Sequence, residues 1–110
     1  MSAEMGDLLH GEREYIEKLM ARRGRRSFRA KQCYANAQRL ILADTEKRLR
    51  YWEGTLHCEC FSIPHAWITI RGKVVDVTHE AAQLKEKRFG LPLETVPPQY
   101  SGVCINRLNP

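Results

Sequence analysis

Cys33 in QCYANAQRLI, His65 in PHAWITI and Asp76 in KVVDVT have the residue types that thiol-based acyl chemistry requires. Cysteine attacks as the thiolate, so it needs a neighbouring base, and the base needs a carboxylate or amide that fixes its tautomer. In this scheme Cys33 is the nucleophile, His65 the general base and then acid, and Asp76 the orienting carboxylate, with the Cys33 backbone amide as one oxyanion donor. Asn36, one turn beyond Cys33, and Trp67, two residues after His65, are candidate substrate contacts. Each residue alone has a plainer role. A free cysteine on an apolar helix face is a small core residue, a single histidine is a hydrogen-bonded structural group, and an aspartate on a strand serves a turn. Three required types in a topologically sensible order carry the functional expectation.

Those residues depend on the elements that hold them. Met5, Leu8, Leu9, Tyr15, Ile16, Leu19 and Met20 recur mostly at three- and four-residue intervals, which predicts an amphipathic helix from Ala3 to about Arg22, ended by Gly24. A second helix is expected from the Ser27 to Lys31 region to about Leu42, because Cys33, Ala37, Leu40 and Ile41 share one face. Cys33 then sits near the helix N-terminus, where unpaired amides and the helix dipole favour an anion such as a thiolate. Leu49 to Leu56 reads as a strand with a bulge at Gly54, followed by an irregular HCECFSIP stretch.

His65 to Ile70 and Lys73 to Thr78 flank Arg71-Gly72 and predict a hairpin. A two-residue turn sets Ile70 opposite Lys73, Trp67 opposite Asp76 and His65 opposite Thr78. His65 and Asp76 are then diagonal neighbours on one face, roughly 7 to 8 Å apart at the backbone and closer between side chains. Beyond the hairpin, Thr78 is the expected cap of a short helix through about Arg88, with Gly90 and Pro92 past its end. Pro92, Pro97 and Pro98 mark a loop, and GVCI near the C-terminus fits one more strand.

The CY-A-NA helix start, the HAW strand and the VVD-V-T strand, in that order, resemble the transglutaminase-like branch of the papain-like superfamily, in which cysteine opens a helix and histidine and aspartate lie on adjacent antiparallel strands. The resemblance runs from about Lys31 to Thr78. Papain places an oxyanion-hole glutamine several residues before its cysteine, whereas Gln32 here is the immediate neighbour. In length and pattern the chain also resembles small proteins of bacteriophages and mobile elements. The resemblance implies an α+β fold, a minimal papain-like core with N-terminal helices packed on a small antiparallel sheet. It implies a cysteine hydrolase or acyltransferase acting on an amide substrate through an acyl-enzyme, of protease, amidase, deamidase or transglutaminase type, with no cofactor and a protein or peptide substrate.

His57, Cys58, Cys60 and His65 offer a rival constellation of zinc-ligand types. They crowd into one short stretch, whereas structural zinc sites usually split their ligands into two separated pairs, so no metal is expected. Cys104 in an apolar strand reads as core. At 110 residues the chain is expected to be a single domain, 1–110. It lacks an apolar run of the roughly 20 residues a membrane span needs and an apolar N-terminal signal segment, so a cytoplasmic, reducing setting is expected. A net charge of +5 suggests acidic partners. Arg22, Arg23, Arg25, Arg26, Arg29 and Lys31 concentrate that charge just before Cys33. This stretch reads as readily as a solvated loop between helices as it does as a functional segment, which would either contact phosphates or raise the local potential that helps ionise Cys33. The alternative to an enzyme is a basic interaction protein that keeps the fold without turnover, binding nucleic acid or inhibiting a partner protein.

Overall fold

The Arg71-Gly72 turn sets the register of the central hairpin. Both residues take left-handed backbone angles, φ 52° and 78°, the conformation a tight two-residue turn needs to match strand twist. The computed structural model describes residues 2–3, 8–24, 28, 32–59, 61–80, 82 and 98–105. Among them the chain is α+β. It runs β1 (Ser2–Ala3), α1 (His10–Arg22), α2 (Cys33–Ala43), β2 (Leu49–His57), β3 (Ser62–Ile70), β4 (Lys73–Val75) and β5 (Gln99–Ile105). The strands form one antiparallel sheet in the order β1-β5-β2-β3-β4. Ile70 pairs with Lys73 and Ile68 with Val75, the expected register. β2 pairs with β3 from Leu49–Ile70 to His57–Ser62.

Alternation along the strands sorts the core into two layers. Leu49, Tyr51, Ala66, Ile68, Ile70 and Val75 face α1 and α2, meeting Tyr15, Ile16, Leu19 and Met20 of the first helix and Ala37, Leu40 and Ile41 of the second. Trp52, Leu56, Trp67, Val74 and Tyr100 form a second cluster, with half-buried Cys58 and Cys104 against it. The sheet is therefore apolar on both sides, and residues 65–70 of β3 are all buried, which is why PHAWITI reads as an almost unbroken apolar run.

Two buried carboxylates fasten the helices to the sheet. Glu12 accepts the Leu9 amide at 2.8 Å and Lys73 Nζ at 3.3 Å, with Arg71 at 3.6 Å. These contacts join the start of α1 to the β3–β4 turn. The Leu9 hydrogen bond, more than the two cations, holds the Glu12 carboxyl below its usual range against the opposing effect of burial. Asp44, just after α2, accepts the Tyr15 hydroxyl together with the amides of Arg48 at 3.1 Å and Leu49 at 2.8 Å, turning the chain into β2.

The structure corrects several expected boundaries. α1 begins at His10 rather than Ala3: Leu9 is extended (φ −66°, ψ 154°) and Glu12 bonds back to it, while Ala3 pairs with Tyr100 in the sheet. Gly24 ends the helix with φ 80°, as expected. β3 already begins at Ser62, and Pro64 is tolerated because β4 pairs only with residues 68–70, so that among the described residues the strand has one neighbour, β2, at that point. Gly54 is no bulge, since it pairs in register with both His65 and Gly102. Close approach explains the glycine instead: a Cβ there would lie 2.1 Å from the Ser101 carbonyl oxygen. The cap of the helical turn at 77–80 is Asp76 rather than Thr78, because the His79 amide bonds Asp76 Oδ1 at 3.1 Å and the Glu80 amide bonds the Asp76 carbonyl at 3.0 Å. Ala82 is also helical, and the rest of that expected helix, with Arg88, Gly90, Pro92 and Pro97, lies outside the described residues. No helix among the described residues is long and apolar enough to cross a membrane.

Candidate active site

β3 delivers His65, and the residue just past β4 delivers Asp76. Strand pairing stops at Val75, so Asp76 is released from the ladder and can both cap the following turn and face the imidazole. His65 Nε2 and Asp76 Oδ2 lie 2.7 Å apart, with both side chains only 5% exposed. A carboxylate accepts and does not donate, so Nε2 carries the proton of this bond and Nδ1 is the acceptor of the neutral ring. Among the described residues Nδ1 has no hydrogen-bond partner.

The same Asp76 oxygen accepts the Tyr100 hydroxyl at 2.7 Å. Burial, reinforced by the Asp76 charge and this hydrogen bond, pushes the Tyr100 hydroxyl far above its ordinary value and keeps it a donor. Trp67 walls the pair: its ring lies nearly parallel to His65 at 6.3 Å and to Trp52 at 6.2 Å, and tilted against Tyr100 at 5.0 Å. Its Nε1 is buried without a hydrogen-bond partner among the described residues.

Cys33 is the first residue of α2 and half-buried. It lines a narrow, mostly apolar crevice of about 150 Å³, with no room for a water molecule, together with Leu40, Ala66, Trp67, Asp76 and Thr78; His65 is not part of that lining. Asn36 aims this helix end, since its Nδ2 donates to Thr78 Oγ1 at 2.7 Å and ties the first turn of α2 to the segment leaving Asp76. α2 covers the Ala66 and Ile68 side of β3, whereas His65 and Trp67 alternate to the other side. No strand flanks residues 62–67 on the β4 side among the described residues. No hydrogen bond joins Cys33 to His65. The structure thus pairs His65 with Asp76 and places Cys33 in a crevice that Asp76 also lines, without a contact between the Cys33 sulfur and the imidazole.

Asn36 and Trp67, expected as substrate contacts, are 0% and 1% exposed. Both are enclosed, Asn36 bonded to Thr78 and Trp67 stacked beside the imidazole, so neither presents a surface to a substrate. The side-chain amide of Gln32 makes no cap bond at the helix start. The rival metal set is dispersed among other partners, His65 to Asp76 and His57 to Ser62 Oγ at 3.1 Å and Ser101 Oγ at 2.9 Å. Cys60 lies outside the described residues, and no group of three or more metal-ligating side chains occurs among those described. Of the basic stretch, Arg22 and Arg23 are exposed at the end of α1, while Arg25, Arg26, Arg29 and Lys31 lie outside the described residues.

Tyr100 and Thr78 escaped the sequence reading as members of this cluster. Tyr100 is 24 residues from Asp76 and on a strand separated from β3 by β2; only its place in an alternating run hinted that its ring faces the core. No family model, curated protein or solved structure matches this chain, so the site has to be understood from its own geometry.

Proposed function

We propose that the protein is a cysteine-nucleophile hydrolase or acyltransferase with the minimal papain-like, transglutaminase-like core that its motif order resembles. One observation carries the proposal: a buried His65–Asp76 hydrogen bond of 2.7 Å leaves the other imidazole nitrogen without a partner among the described residues, while half-buried Cys33 at the start of α2 lines a crevice that Asp76 also lines. A histidine that is purely structural has no need of an oriented tautomer with its acceptor nitrogen spare.

In the proposed reaction Cys33 gives its thiol proton to His65 Nδ1 and the sulfur attacks an amide carbonyl carbon. The negative charge that develops on the carbonyl oxygen is met by the Cys33 backbone amide at the start of α2, where the helix dipole adds to it. The C–N bond then breaks as the imidazolium returns its proton to the leaving nitrogen, giving a thioester and a free amine. Water, or a second amine, is deprotonated by His65 and attacks the thioester, restoring the thiol. Asp76 keeps the ring oriented and offsets the positive charge it carries between the two proton transfers.

The test is covalent labelling of the intact protein with an electrophilic amide-like probe, mapped by mass spectrometry. Cys33 is expected to react ahead of Cys58, Cys60 and Cys104, with labelling lost in Cys33→Ala. Equal reaction at all four thiols would make Cys33 an inert packing residue and favour a binding protein without turnover.

A further inference from the structure

We infer that Tyr100 is a positioning residue of this site, fixing through its hydroxyl the one direction in which Asp76 can receive the His65 ring. The inference rests on the proposed Cys33–His65 chemistry and adds a fourth residue to it. Tyr100 donates to Asp76 Oδ2 at 2.7 Å, and His65 Nε2 meets that same oxygen at 2.7 Å, while Oδ1 is taken by the His79 amide at 3.1 Å. A carboxylate oxygen has two lone-pair directions. With one filled by Tyr100, one remains for the imidazole. Rotation of the carboxylate would break all three bonds together, so the ring is held to a single orientation and tautomer.

The fold makes room for this long reach. Tyr100 belongs to β5 and His65 to β3, with β2 between them. Its pairing partner Leu56, and Trp52, point to the same side of the sheet, and by alternation the residue standing between them is Gly54, which pairs with His65 on one side and Gly102 on the other. A Cβ at Gly54 would lie 2.1 Å from the Ser101 carbonyl oxygen, so glycine lets β5 approach β2 this closely, and across β2 the His65 and Tyr100 ring centroids lie 6.4 Å apart. Tyr100 is 3% exposed, so its hydroxyl needs an internal acceptor. What a merely structural requirement does not explain is convergence on the oxygen that already serves the imidazole.

Tyr100→Phe keeps the ring and its packing on Trp67 and removes only the hydroxyl. Two quantities are read in the full-length protein: the rate at which an electrophilic amide-like probe labels Cys33, and the tautomer of His65 from nitrogen NMR of its ring. The expected result is labelling about tenfold slower, a His65 spectrum that changes from one tautomer to a mixture, and unchanged labelling of Cys104. Wild-type labelling with a single retained tautomer, in a protein where His65→Ala does slow labelling, would overturn the role of Tyr100 and leave the Cys33–His65 couple standing. Labelling indifferent to both substitutions would overturn the proposed chemistry itself, and this inference with it.

Discussion

Asp76 is the residue on which fold and chemistry meet. It accepts from the His65 ring, the Tyr100 hydroxyl and the His79 amide, and its carbonyl accepts the Glu80 amide. Hydrogen bonds to a charged group are worth about 1.5–3 kcal/mol each, and a buried donor that loses its acceptor pays its own desolvation besides. An amide at this position has one acceptor oxygen for three side-chain and backbone donors. Asp76→Asn is therefore expected to lower stability by about 2 kcal/mol or more in urea denaturation. Cys33→Ala removes one sulfur at a half-buried position and should cost under about 1 kcal/mol. Equal losses for the two variants would mean that Asp76 is not the hub described.

Among the elements, the hairpin and the close β2–β5 contact do most to shape the site. Gly54→Ala would force a Cβ to 2.1 Å of the Ser101 carbonyl oxygen and 2.5 Å of Gly102 Cα, both backbone atoms that cannot swing aside. The variant should lose about 2 kcal/mol or more, whereas Gly11→Ala, in α1 with nothing within 4 Å of the added carbon, should be neutral or slightly stabilising; denaturation midpoints of the pair decide it. The hairpin register was legible in the sequence because Arg71-Gly72 leaves two residues between apolar runs, and a two-residue turn determines every cross-strand neighbour. α2 was legible from its apolar spacing. Helix starts were harder to read, because Thr78 and Asp76 are both good caps and the choice fell to tertiary partners: Asn36 claimed the Thr78 hydroxyl, leaving Asp76 to cap. Gly54 looked like a bulge since glycine in a strand signals either a bulge or a close neighbour, and only the position of β5 separates them. Tyr100 was unreadable as a site residue for the same reason, its role depending on a strand brought in from far along the chain.

At the scale of the molecule, a sheet with an apolar core on each side hides groups that would titrate in water. Tyr15, Tyr51 and Tyr100 are all buried, and burial is the main cause that raises each hydroxyl above its ordinary value, to about 12 for Tyr15, with Asp44, Glu53 and Asp76 adding to the effect. Each keeps its proton in the fold to a higher pH than in the unfolded chain. The stability they contribute is complete below the unfolded value of about 10 and is lost as pH rises from there through the folded values. Alkaline titration should accordingly show the tyrosinate absorbance of these rings appearing together with loss of near-ultraviolet circular dichroism. Ionisation of all the tyrosines near pH 10 with the fold intact would contradict the burial described here.

The account turns on whether Cys33 and His65 work as a couple, and the rate of Cys33 labelling by an electrophilic amide-like probe near neutral pH tests that most directly when wild type is compared with His65→Ala. In the proposed chemistry His65 supplies the proton acceptor for the thiol and, once protonated, a positive charge beside the thiolate. The predicted result is that Cys33 reacts fastest of the four cysteines in the wild type, and that His65→Ala slows Cys33 by tenfold or more while leaving Cys58 and Cys104 unchanged. A Cys33 rate that is ordinary in the wild type and unmoved by His65→Ala would contradict the account.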